Sequence, residues 1–152
     1  MARKPACGTA GCTLIEIMAV VIIIGLLTGI VGAAIFSQVD KGRVTAAQAQ
    51  LKSLSGVLEL YRMDNGRFPT TEQGLESLVH APSGGSPEPR NYPPGGYLSG
   101  GRVPLDPWGE PYFYERPGQR NPHSFDLWSL GADARTGGEG VDADIGNWAD
   151  QS

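Results

Sequence analysis

Cysteine is almost missing from this chain. The two present, Cys7 and Cys12, lie close together near the N-terminus, so no disulfide staples the body of the protein and no C-x-x-C pair exists for zinc or redox work. An excess of positive charge is missing as well: Lys and Arg number 12 against 16 Asp and Glu, a net charge of −4, which leaves no basic surface of the kind that neutralises phosphates. Nucleic acid is therefore not an expected partner. Catalytic patterns are also scarce. His80 and His123 stand near no recognisable Ser or Cys nucleophile, and the glycines of S-G-G and Y-L-S-G-G neither follow a strand nor precede a helix, so neither makes a phosphate loop. The residues give no reason to expect an enzyme.

Charge is absent altogether from Ile17 to Phe36, a run of twenty residues preceded by a short leader that carries Arg3 and Lys4 and no acid. A bilayer core of roughly 30 Å takes about 20 apolar helical residues, and a soluble core helix would show a polar face that this run lacks. Three readings compete. A secretory signal peptide, cut near Gly32-Ala33-Ala34, would have a shorter apolar region than this one and no Glu16 at its start. A lipoprotein signal at Thr9-Ala10-Gly11-Cys12 fails on order, because the apolar run follows Cys12. A retained helix behind a small leader fits both length and order. Arg3 and Lys4 on one side are balanced by Lys41 and Arg43 on the other, so charge alone does not set orientation.

Gly (22) and Pro (12) together make 34 of the 152 residues, against an average of roughly 12%, and eleven of the twelve aromatic residues lie beyond Ser37. The folded core is expected there, with ordered loops around it. Ala47, Leu51, Leu54, Leu58 and Tyr61 step by three and four, the spacing of one helical face, and Gly66 and Pro69 stop the helix. If Thr13 to Met63 is helical throughout, its 51 residues make a rod of roughly 76 Å. A short helix is expected from the Thr70-Thr71-Glu72-Gln73 entry through Val79, and a hairpin from Pro111–Glu115 and Ser124–Leu130. The fold class is α+β: a long N-terminal helix, membrane half and amphipathic half, packed on a small antiparallel sheet.

Glu16 is the residue that most needs an explanation. An ionised carboxylate among Leu14, Ile15, Ile17 and Met18 is costly in lipid unless it sits at headgroup depth or finds a partner. No Lys, Arg or His lies between Cys12 and Phe36. A cut after Gly11 would create a cation, the α-amine of Cys12, largely protonated at neutral pH. In a stack of identical helices that amine could serve the carboxylate of its own chain or of the next. Gly25 and Gly29 form a G-x-x-x-G that could pack helices closely, loosen the helix, or simply tolerate lipid. The last loop, Leu130 to Trp148, holds Asp133, Glu139, Asp142 and Asp144 among five glycines. Such a loop suits Ca²⁺ or is a solvated acidic turn, and it lacks the alternating acids of an EF-hand.

The stretch G-C-T-L-I-E-I-M-A-V-V-I-I-I-G-L-L resembles the cleavage site and helix of type IV pilins and pseudopilins. With Y-R-M-D-N-G-R-F-P-T-T-E-Q-G-L, N-Y-P-P-G-G-Y, D-P-W-G-E-P-Y, L-G-A-D and D-A-D-I-G-N-W, residues 11 to 148 resemble the major pseudopilins of type II secretion systems. The resemblance implies a leader of residues 1–11 cut by prepilin peptidase after Gly11, and an assembly helix over 12–36. Cys12 becomes the N-methylated first residue, although the family usually has Phe there, and Glu16 the glutamate used in assembly. Residues 37–152 become a periplasmic head that includes the second half of the long helix. It also implies one structural Ca²⁺ held by the Leu130 carbonyl, Asp133, Asp142 and Asp144, and unwinding near Gly25, Gly29 and Gly32 on extraction into a fibre. The expected partners are further copies in a helical homopolymer, minor pseudopilins, and the inner-membrane assembly platform with its cytoplasmic ATPase. The expected location is the bacterial inner membrane, single-pass with a cytoplasmic N-terminus, and a periplasmic filament after assembly. A type IV pilus subunit is the nearer alternative, though many carry a C-terminal disulfide; a secreted calcium-binding module is the more distant one.

Overall fold

The structure, a computed structural model, describes residues 13–83 and 87–148, with the backbone alone for 33–37. The chain divides into two units, Met1–Val39 and Asp40–Ser152. One helix, α1 (Leu14–Asn65), runs through both sequence ranges. It opens after Thr13, whose carbonyl accepts from the N–H groups of Glu16 (3.0 Å) and Ile17 (3.3 Å). In the first unit, the span Leu14–Gly32 is long and apolar enough to cross a membrane. Its large apolar side chains, among them Leu14, Ile22, Leu26 and Ile30, are exposed. The helix is unbroken through Gly25, Gly29 and Gly32, and a Cβ at any of the three would meet nothing within 4 Å.

In the second unit, α1 buries one stripe. Ala47, Leu51, Leu54, Leu58 and Tyr61 are all buried, as their spacing predicts, and they pack in one core with Phe68, Leu75, Leu78, Tyr112, Phe125, Leu127 and Ile145. The helix ends at Asn65, two residues beyond the expected Met63, because the chain supplies partners for its last carbonyls. Asn65 Nδ2 donates to the Tyr61 carbonyl (3.0 Å) and the Gly66 N–H to that of Arg62 (2.7 Å). Gly66 has φ 75°, the left-handed cap that favours glycine.

The expected short helix is instead a turn followed by a 3-10 helix, Leu75–Leu78. Thr70 and Gln73 form a reciprocal capping pair, Thr70 N–H to Gln73 Oε1 (3.0 Å) and Gln73 N–H to Thr70 Oγ1 (3.2 Å). That pair closes on a tight turn, with Gly74 N–H donating to the Thr70 carbonyl at 3.0 Å, and no α-helix follows.

The sheet has strands β1 (Phe113–Glu115), β2 (Asp126–Ser129) and β3 (Ile145–Gly146), antiparallel and in that spatial order. Phe113 pairs with Trp128, Tyr114 with Leu127 and Glu115 with Asp126; Trp128 pairs with Gly146 and Ser129 with Ile145. The expected hairpin is present with shorter strands, since Pro111 has no N–H for a ladder and makes only an isolated bridge with Leu105. Strand β3 lies in what the sequence presents as loop, because two residues carry no periodicity. Leu127 faces the core fully buried, while Trp128 turns to the outer face and stacks on Phe113 at a centroid distance of 5.6 Å.

Leu58→Ala is expected to destabilise the fold by about 2–5 kcal/mol, and Leu60→Ala, on the exposed side of the same helix, by about 0.5 kcal/mol or less. Urea unfolding followed by tryptophan fluorescence measures both, and equal losses would contradict the one-sided burial of α1.

Candidate functional site

Three places hold the residues singled out from the sequence. The first is the start of α1. Glu16 sits in the first turn, exposed, in a span with no other charged residue as far as Gly32. Gly11 and Cys12, the expected cleavage site, lie outside the described residues.

The second place is the set of loops carried by the polar motifs. The start of D-N-G-R-F-P is pinned to N-Y-P-P-G-G-Y by buried amide chemistry. Asn65 Nδ2 donates to Tyr97 Oη (2.9 Å), Asn65 Oδ1 accepts from the Asn91 N–H (3.0 Å), and Tyr97 Oη donates to Asp64 Oδ2 (3.1 Å). The N–H groups of Tyr97 and Leu98 both donate to the Leu78 carbonyl, at 2.7 and 3.1 Å, so this loop also clamps the 3-10 helix. Asp126 organises the β1–β2 connection: its carboxylate accepts from the N–H groups of Arg120 (2.8 Å) and Asn121 (3.0 Å) and from Asn121 Nδ2 (2.9 Å). Asn147 of the G-N-W motif extends the β2–β3 pairing. Its side chain accepts from the Leu127 N–H (3.2 Å) and donates to the Phe125 carbonyl (2.9 Å).

The third place is the C-terminal loop. Leu130 follows β2 half-buried, Asp133 is exposed, and Asp142 and Asp144 are half-buried on either side of Ala143. Asp133 Oδ1 accepts from the Arg135 N–H (3.0 Å) and Asp144 Oδ2 from the Gly137 N–H (3.0 Å). Asp144 Oδ1 is buried and has no hydrogen-bond partner among the described residues. Among the described residues no three carboxylate, imidazole or thiol groups stand together as a ready-made ligand cluster, so a cation here would need backbone carbonyls to complete its shell. One close backbone approach is present in the loop. Gly131 has φ 73°, and a Cβ on it would lie 2.8 Å from the Ala143 carbonyl oxygen and 2.9 Å from that of Val141, so only glycine fits. The N–H of Ala132 donates to the Val141 carbonyl at 3.0 Å, closing the loop.

At the base of this loop lies a contact that the sequence does not announce. Asp106 is buried. Its Oδ1 accepts from the N–H groups of Trp108 (3.0 Å) and Glu110 (2.8 Å), and its Oδ2 accepts from the hydroxyl of Ser129 (2.5 Å). Ser129 Oγ in turn accepts from the Gly131 N–H at 3.2 Å. A short polar residue in a turn and another at a strand end give no sign in the sequence of such a meeting, 23 residues apart. His80 and His123 are both exposed.

All five tyrosines hold their protons more tightly than usual, burial being the leading cause for each. Tyr97 is pushed from 10.0 up to about 12, with the Asp64 carboxylate adding to the rise and the Asn65 hydrogen bond opposing it, and Tyr61, Tyr92, Tyr112 and Tyr114 are raised too. Because the folded values exceed the unfolded one, this stabilisation is complete below pH 10.0 and is lost as pH rises toward about 12. Spectrophotometric titration should show native tyrosines ionising later than those of the urea-unfolded chain. Coincident curves would contradict the packing around Tyr97.

Residues 34–148 match the family described as Type II secretion system (T2SS), protein G. The chain is 48% identical over 139 residues to a Pseudomonas aeruginosa protein named type II secretion system core protein G, covering 91% of this chain and 94% of that one. It is 45% identical over 138 residues to the Vibrio cholerae protein of the same name, covering 91% and 90%. Its structure is similar to the crystal structure of the major pseudopilin from the type 2 secretion system of enterohaemorrhagic Escherichia coli, with a TM-score of 0.64 at 42% identity over 75% of this chain and 93% of that one. An apolar helix ahead of a one-sided helical stripe, a three-stranded sheet and a glycine-rich acidic loop thus agree with the sequence matches, and the chain belongs to the type II secretion system protein G family.

Proposed function

We propose that this protein is a structural subunit, not an enzyme, that polymerises through its N-terminal helix into the periplasmic pseudopilus of a type II secretion system and so supports export of folded proteins. The observation that carries this reading is the change of character along α1. Residues 17–31 carry no charge on any side and are exposed, whereas residues 47–61 bury a single stripe. A helix apolar all round needs lipid or other helices around it. Lipid before assembly and sister helices after it meet that need in turn, with the leader cytoplasmic and the head periplasmic.

Within this reading, prepilin peptidase cuts after Gly11, and the amine of Cys12, the residue that would be N-methylated, pairs with Glu16 of the adjoining subunit. Minor pseudopilins and the inner-membrane assembly platform are the other partners. N-terminal sequencing of protein isolated from cells should begin at Cys12. Glu16→Ala should leave membrane insertion intact while reducing fibre formation and secretion, since an exposed carboxylate in the apolar span is the one group there that a cationic terminus can satisfy. Normal fibres from that variant would contradict the pairing.

The C-terminal loop is proposed to hold one structural Ca²⁺ through the Leu130 carbonyl and the carboxylates of Asp133, Asp142 and Asp144. The buried Asp144 Oδ1, without a partner among the described residues, supports this, because a carboxylate oxygen shielded from water is costly until a cation or a further donor meets it. When bound, the ion supplies positive charge that neutralises the loop's acids and accepts carbonyl oxygens. The chain itself contributes the turn at Asp133, the Gly137 N–H on Asp144 and the close approach at Gly131. Asp144→Asn keeps an acceptor for Gly137 but removes the charge. It should lower the Tm in calcium and leave the Tm in chelator near wild type, whereas equal Tm changes in both would show that the loop is no metal site.

A further inference from the structure

We propose that Asp106 and Ser129 are positioning residues that aim the Leu130 carbonyl, and that this pair sets the affinity of the C-terminal loop for its cation. The inference rests on the calcium reading of that loop and adds residues outside it. Leu130 C=O and Gly131 N–H belong to one peptide group, which is planar and trans, so the two bonds point in opposite directions. The hydrogen bond from the Gly131 N–H to Ser129 Oγ (3.2 Å) therefore fixes where the Leu130 oxygen points, away from Ser129. A serine hydroxyl can rotate, and it presents lone pairs to Gly131 only while its proton is directed elsewhere.

Asp106 Oδ2 takes that proton at 2.5 Å, in a setting where Ser129 is fully buried and Asp106 is 5% exposed. The carboxylate cannot swing away, because its Oδ1 is held by the N–H groups of Trp108 and Glu110 in a turn closed further by Asp106 N–H to the Glu110 carbonyl (2.8 Å). A turn ahead of β1 thus reaches through one hydroxyl to one peptide plane at the end of β2. Asparagine at 106 would break this order. The two N–H donors would hold its oxygen at the Oδ1 position, and its NH₂ would face Ser129 as a second donor, leaving the hydroxyl proton without an acceptor.

The test is calorimetric titration of calcium into the full chain in detergent, for the wild type, Asp106→Asn, Ser129→Ala and the double variant, with the Tm of each in chelator. Leu58→Ala, on the buried stripe of α1, is the control that loses stability without touching the relay. Supporting the relay outcome, each single variant weakens calcium binding by about 10-fold or more, the usual scale for groups that orient ligands, the double variant is no weaker than the worse single, and Leu58→Ala keeps the wild-type Kd despite its lower Tm. Wild-type Kd in the relay variants, or equal weakening in Leu58→Ala, overturns the proposal while leaving the cation site standing. Absence of calcium binding to the wild type overturns both. Should Ser129→Ala fail to fold, Asp106→Asn, which is isosteric and keeps the turn, gives the same decision.

Discussion

The burial of one stripe of α1 is the contact on which the rest of the head depends. Ala47, Leu51, Leu54, Leu58 and Tyr61 supply the helical side of a core whose other side comes from Phe68, the 3-10 helix, Tyr112 and the inner face of the sheet. Strands of three, four and two residues cannot stand alone in water. They persist because Leu127 and Ile145, fully or nearly fully buried, have this helix to pack against. The same helix over Leu14–Gly32 has no such stripe: its large apolar side chains are exposed and the span is long and apolar enough to cross a membrane, while the second unit folds around a core.

Loops make up much of the head, and no disulfide holds its body. Buried amide and carboxylate groups do that work here. Asn65 and Asp126 each gather several backbone or side-chain donors and acceptors, and Asn147 extends the sheet where the strand has ended. Each such group satisfies backbone polar atoms that would otherwise be stranded away from water. The motifs that resemble those of pseudopilins thus act as pinning points for loops.

The C-terminal loop is the least self-sufficient part of this arrangement. Among the described residues Asp144 Oδ1 finds no donor and no three acidic groups stand together, so the loop is held by single N–H contacts to Asp133 and Asp144 and by its link to β2. Its connection to the sheet runs through Ser129 and Asp106, which couples the geometry of an acidic loop to a turn far away in the chain. In a polymer subunit, a tied-down loop presents the same surface in every copy.

Periodicity and local chemistry were enough to read α1, its apolar half, its buried stripe and its glycine stop, because each is a matter of spacing within one turn or of a single backbone angle. The hairpin was legible too, though not its ends, which depend on which N–H groups find ladder partners. Hidden from any reading of the string were β3, the replacement of the short helix by a 3-10 turn after the Thr70–Gln73 pair, and the meeting of Asp106 with Ser129. Those depend on which distant segments the core brings together, and a buried aspartate in a turn looks the same as a solvated one until the chain has folded around it.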